Sequence, residues 1–155
     1  MASAKKIILF FVLILFGLSC SNDKEANCAT VLCVANELIN LEFRIDDNNP
    51  LADETYTLSD ISVMGKTMES LELSVLTEVP ESTGALLEIY SSDWDSGAYF
   101  YTIELGEDWS VPIEVRFTKS KSNDPCCGDR LEILSLNSSA FQIEDQIGFY
   151  TVILQ

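Results

Sequence analysis

The chain of 155 residues contains no histidine. That absence removes much chemistry: no Ser-His-Asp or Cys-His nucleophile pair can be assembled, and no imidazole metal site. Any catalysis would rest on carboxylates, tyrosine, lysine or cysteine. Positive charge is also scarce. Nine Lys and Arg residues stand against 25 Asp and Glu, a formal charge of −16. Phosphate backbones require the opposite sign, and no basic patch exists, so nucleic acid is excluded as a partner. A bare anionic lipid surface is disfavoured for the same reason. A cationic partner or divalent cations would be favoured, although acidity also serves solubility. Long apolar runs are missing too. The run Ile7–Phe16 has ten residues, whereas a helix needs about 20 to cross the hydrocarbon of a bilayer. No Cys-x-x-Cys occurs, and there is no internal repeat.

What is present begins at the N-terminus. Lys5 and Lys6 precede the run Ile7–Phe16, and Gly17-Leu18-Ser19-Cys20 follows. A short positive region, a short apolar region and then small residues have the order of an export signal. Here the chain resembles a bacterial lipoprotein signal, in which a small residue precedes a cysteine that is lipidated and becomes the new N-terminus. Ser19 is the small residue and Cys20 the cysteine; Gly17 stands where the usual pattern has Leu. The resemblance covers the first twenty residues. It implies cleavage before Cys20 and a multiply acylated, palmitate-bearing N-terminus that holds the protein on a membrane without a crossing helix. Ser21–Asn27 is small, polar and charged, and reads as a tether. Asp23 and Glu25 within it resemble the short acidic stretch after the lipidated cysteine in Bacteroidetes lipoproteins that reach the cell surface. The expected division is therefore a signal over 1–19, a tether over 20–27 and one domain over 28–155, in the cell envelope, at the outer membrane and displayed at its surface. Cleavage removes two lysines and no acids, leaving seven basic residues against 25 acidic ones, a formal charge of −18.

Apolar residues make up 47% of the chain, enough for a packed core despite the charge. Their spacing is mostly period two, the signature of half-buried strands. Ile39, Leu41, Phe43 and Ile45 alternate with polar residues, and Asp46-Asp47-Asn48-Asn49-Pro50 breaks the pattern. Further strands are expected over 58–64, 70–77, 86–90, 98–105, 111–118, 131–136 and 149–154. Tyr99, Tyr101, Ile103 and Leu105 lie in phase, as do Val111, Ile113, Val115 and Phe117. Gly106-Glu107-Asp108 between these two sets predicts a hairpin. A turn of helix is expected between Asn137 and Gly148. About eight short strands separated by turn signals predict an all-β antiparallel sandwich. The pattern resembles the immunoglobulin-like and transthyretin-like sandwiches of Bacteroidetes surface proteins.

With Cys20 assigned to lipid, Cys28, Cys33, Cys126 and Cys127 remain. An even number in an exported chain favours disulfides. Adjacent cysteines have Cα atoms about 3.8 Å apart, too close for an unstrained bridge. Cys28 and Cys33 are therefore each expected to pair with one of Cys126 and Cys127, in either combination. A four-thiolate zinc site is the competing reading, weakened because adjacent ligands span a tetrahedron poorly.

Candidate ligand-binding residues lie in loops. Asp93-Trp94-Asp95-Ser96-Gly97 is a fragment of a calcium-loop pattern without its distal acid, and Asp46–Asn49 is a second oxygen-rich turn. Ordinary turn chemistry explains both better, and no metal or other cofactor is expected. Trp94 and Trp109, with Tyr99 and Tyr101 nearby, offer rings for stacking on a sugar, while the tyrosines also suit strand interiors. Asp93 and Asp95 on one short loop cannot face each other across a cleft as a glycosidase requires, so an enzyme is not expected. The function expected is a lipid-anchored, non-enzymatic binding or structural module, with a glycan or a protein as partner. The alternative is an acidic inhibitor or sequestering protein for a cationic enzyme such as a lysozyme.

Overall fold

The computed structural model describes residue 28 and residues 32–33, 37–65, 70–77, 79 and 82–155. The expected signal, Cys20 and the tether lie outside the described residues. The folded unit spans Leu32–Gln155. Its described residues form nine strands: β1 (Ile39–Ile45), β2 (Ile61–Gly65), β3 (Glu72–Thr77), β4 (Ala85–Tyr90), β5 (Gly97–Leu105), β6 (Trp109–Ser120), β7 (Arg130–Asn137), β8 (Gln142–Gln146) and β9 (Phe149–Leu154).

The strands form two sheets, β3-β4-β1-β9-β8 and β2-β5-β6-β7, packed as an all-β sandwich. The alternation read from sequence decides which side chains meet. Ile39, Leu41 and Phe43 of β1, Leu87 and Ile89 of β4, and Val152 and Leu154 of β9 enter the core from the first sheet. Tyr101, Ile103, Leu105, Val111, Ile113, Val115 and Phe117 enter from the second. Each such side chain contributes about 1.5–3 kcal/mol when fully buried.

Three details differ from expectation. The neighbours are antiparallel except β1 and β9, which run parallel with Leu41 opposite Tyr150 and Ile45 opposite Leu154. This pairs the first and last strands in the middle of the sheet, so neither is an edge. Second, Leu58–Asp60 is a single 3-10 turn, and the strand starts only at Ile61. Third, the segment expected to hold a turn of helix contains β8, paired to β9 with Ile143 opposite Val152. As an edge strand β8 needs few apolar residues, so Gln142-Ile143-Glu144-Asp145-Gln146 carries almost no period-two signal.

The turn after β1 follows from its composition. Ile45 and Asn48 exchange both backbone hydrogen bonds at 2.9 Å, and Asp46 and Asp47 between them have φ of 48° and 67°. Positive φ at both central positions is the primed hairpin turn, which Asn, Asp and Gly tolerate best. The buried Asn49 side chain donates to the Ala85 carbonyl at 2.7 Å and accepts from the Leu51 and Ala52 N–H groups. The oxygen-rich turn thus has a structural occupation.

Candidate functional site

The loop carrying Asp93, Trp94 and Asp95 joins β4 to β5 across one end of the sandwich. Trp94 is buried, with 8% of its surface exposed. Its indole N–H donates to the Tyr101 hydroxyl at 2.7 Å, and its ring packs 4.8 Å from that of Phe117 and 6.2 Å from that of Tyr90. A ring held between core aromatics has no free face for a sugar. Asp93 accepts from the Ser70 N–H at 3.0 Å. Asp95 pairs with Lys119 at 2.7 Å and accepts from the Ser96 N–H. The Lys119 ammonium, then the Ser96 amide, hold its carboxyl below the ordinary range. The Asp95 N–H in turn donates to the Tyr99 hydroxyl at 2.7 Å. The loop is brought together as expected, but as a laced plug: two tyrosine hydroxyls and a lysine fix it to the sheet.

Trp109 lies elsewhere. It starts β6, opposite Leu105, while Phe117 of the same strand lies opposite Gly97. Eight residues of β6 therefore separate the two ends, roughly 27 Å at strand rise. Trp109 is half-buried and meets Phe141 edge-on at 6.1 Å. Beside it the Tyr56 hydroxyl donates to Asp108 at 2.7 Å, and that bond, with burial, pushes the phenol above its ordinary value. Trp94 and Trp109 do not share a site.

Cys33 is bonded to Cys127, with Cα atoms 5.4 Å apart and a sequence separation of 94. Cys28 and Cys126 are also half-cystines. One of the two expected combinations is thereby selected, and sulfurs in disulfides are not thiolates for zinc. Among the described residues no group of three or more Cys, Asp or Glu is placed to hold a metal ion.

A concavity with a volume of about 540 Å³ lies on the outer face of the second sheet. Its floor comes from residues out of phase with the core. Met64 of β2, Thr102 of β5 and Pro112 of β6 form one row across the strands. Phe100 of β5, Glu114 of β6 and Asn137 of β7 form the next. Ser138 and Ser139, just after β7, close one wall. Ser138 is fixed by donating to the Pro112 carbonyl at 2.6 Å and accepting from the Ala140 and Phe141 N–H groups. Met64 and Phe100 are 57% and 40% exposed, so the floor offers apolar surface within a hydroxyl, amide and carboxylate rim.

The chain matches no known family model, no curated protein and no solved structure. The groove thus rests on its own geometry. Sequence reasoning missed Phe100 and Met64 because each is an outward residue in an alternating strand, and Pro112, which suggests an edge position or a strand beginning, instead lies within β6, between β5 and β7 in the sheet order. The signal was there in one form: an aromatic ring at Phe100 interrupts the polar phase between Tyr99 and Tyr101.

A second polar feature lies on the outer face of the first sheet. Glu42 is fully buried. It accepts from the Thr83 N–H at 2.5 Å, the Thr83 hydroxyl at 2.6 Å, the Thr151 hydroxyl at 2.9 Å and the Arg44 guanidinium at 2.9 Å. Burial alone would raise its pKa; the bonds to Thr83, Thr151 and Arg44 outweigh it and hold the carboxyl below the ordinary value. Every acceptor position is engaged, so Glu42 clamps the β3–β4 connection to β1.

Proposed function

We propose that the protein is a non-enzymatic binding module of the cell envelope, held at the outer membrane by lipid on Cys20 and displayed from a short tether. The observation that carries the binding role is the open groove on the second sheet, where exposed Met64 and Phe100 sit inside a polar rim on a rigid scaffold. Concave sites with an apolar floor and a few convergent polar groups are the usual form of ligand sites. A non-catalytic role is supported by the lining: among the described residues Glu114 is its sole carboxylate, whereas glycoside hydrolysis uses two facing each other. The anchoring role is supported by the signal-like order ending in Ser19-Cys20.

Both halves are testable in cells that produce the full chain. Alkyne-tagged palmitate should label the wild type, and Cys20→Ala should abolish the label and release the protein from the membrane fraction. In affinity capture from intact cells, Thr102→Arg should lose the wild-type partner by filling the groove. An unlabelled wild type contradicts the anchor, and unchanged capture contradicts the groove.

A second reading has its own observation. Arg44, Arg116, Lys119 and Arg130 are each tied to a neighbouring carboxylate, which leaves a surface dominated by negative charge. Sequestration of a cationic enzyme follows that logic, and it requires binding to a basic protein such as lysozyme that weakens steeply with salt.

A further inference from the structure

The groove differs from the chain around it in charge. Acids outnumber bases 25 to nine overall, yet among the described residues the groove lining holds one ionisable carboxylate, Glu114. Its Oε1 accepts from Arg116 Nε at 2.8 Å and Nη2 at 2.7 Å, so the pair carries no net charge. A cationic ligand gains little here compared with the rest of the surface, and an anionic one is repelled by the surrounding field. An uncharged ligand meets neither obstacle.

Backbone pairing narrows the class further. The floor lies over β5 and β6, the two inner strands of this sheet. β5 is paired with β6 along its whole length and with β2 over Tyr101–Leu105, and β6 is paired with β7 over Glu114–Ser120. Over those stretches an extended peptide finds no ladder to join, as it would at a sheet edge, and recognition uses side chains. Phe100 presents a ring, Thr102 and Ser139 hydroxyls, and Asn137 an amide; the hydroxyls and the amide each both donate and accept. That combination suits a ligand with an apolar C–H face and a hydroxyl edge. From β2 to β7 the floor crosses three strand spacings, roughly 14 Å.

We infer that the groove binds a neutral oligosaccharide, with Phe100 as the stacking platform and Thr102, Asn137 and Ser139 as its hydrogen-bonding rim. The inference rests on the binding-module reading and adds the ligand class.

The test is a titration of the full mature protein in detergent micelles with neutral hexasaccharides of glucose, mannose and N-acetylglucosamine. A sulfated and a cationic oligosaccharide are run beside them. At least one neutral sugar binds, with an affinity that changes less than about twofold between about 50 and 500 mM salt. Phe100→Ala weakens it about tenfold, Phe100→Trp restores it, and Trp94→Phe leaves it unchanged. Unaltered urea midpoints for both Phe100 variants establish that they fold. The inference is overturned if no neutral sugar binds, if only the charged sugars bind, or if Phe100→Ala binds as the wild type does. Should the sugars fail while lysozyme binds the wild type and not Phe100→Ala, the ligand class is wrong and the binding module stands. Should lysozyme also bind Phe100→Ala unchanged, the groove has no part in either.

Discussion

At the scale of single residues, the informative side chains are those that break the alternation. Glu42 is a carboxylate where the outer face of β1 has no contact with solvent, and it persists as an anion because Thr83, Thr151 and Arg44 satisfy it. Its folded pKa lies below the value in an unfolded chain, about 4.3. Its contribution is therefore complete above that pH and is lost as pH falls through the folded value. Glu42→Gln should cost about 2–3 kcal/mol at pH 7, because Arg44 and the Thr83 amide lose a charged acceptor. Urea denaturation at pH 7 and pH 3 checks this: the gap between wild type and variant narrows in acid, and an equal gap at both pH values contradicts it. Trp94 teaches the opposite lesson. A tryptophan between two aspartates in a loop reads as a displayed ring, yet its neighbours in space are Tyr101 and Phe117. Local sequence holds no sign of that, since the partners lie on β5 and the far end of β6.

At the scale of elements, strands were legible wherever one face is buried. Ile39-Leu41-Phe43, Tyr101-Ile103-Leu105 and Val111-Ile113-Val115 each announce their inward face, and the structure buries them all. The edge strand β8 was illegible because it buries too little to need a pattern. The parallel pairing of β1 with β9 was illegible for another reason: period two specifies a face, not a neighbour or a direction. Exclusion of the vicinal bridge left two pairings of the cysteines, and only spatial placement of Cys33 beside Cys127 decided between them. A crosslink closing a loop of that length is worth about 4–5 kcal/mol in the chain-entropy description. The hairpin between β5 and β6 was legible from Gly106, and its need for glycine is geometric. Gly106 has φ of 58°, and a Cβ there would lie 3.0 Å from Tyr56 Cε1. Its N–H also donates to the Asp60 carbonyl at 2.8 Å. Gly106→Ala should thus destabilise by about 1–2 kcal/mol, seen as a lower urea midpoint with an unchanged slope. A midpoint equal to the wild type would show that the Tyr56 ring yields without cost.

At the scale of the whole molecule, the groove assembles from residues that sequence order keeps apart. Met64, Phe100, Pro112 and Asn137 belong to four strands, and they become neighbours only through the order β2-β5-β6-β7 and its register. No window of sequence contains the site, which is why the loop at 93–97, compact in sequence, was the more visible candidate. Charge works at this scale too: an acidic surface surrounds a groove in which the Glu114 carboxylate is neutralised by Arg116. The measurement that tests the site most directly is a backbone amide NMR spectrum of the mature protein with and without the neutral oligosaccharide that binds it. Shifts confined to the amides around Met64, Phe100, Thr102, Glu114 and Asn137 are the expected result. Shifts centred on Asp93–Gly97, or on Trp109 alone, would contradict the assignment of the groove.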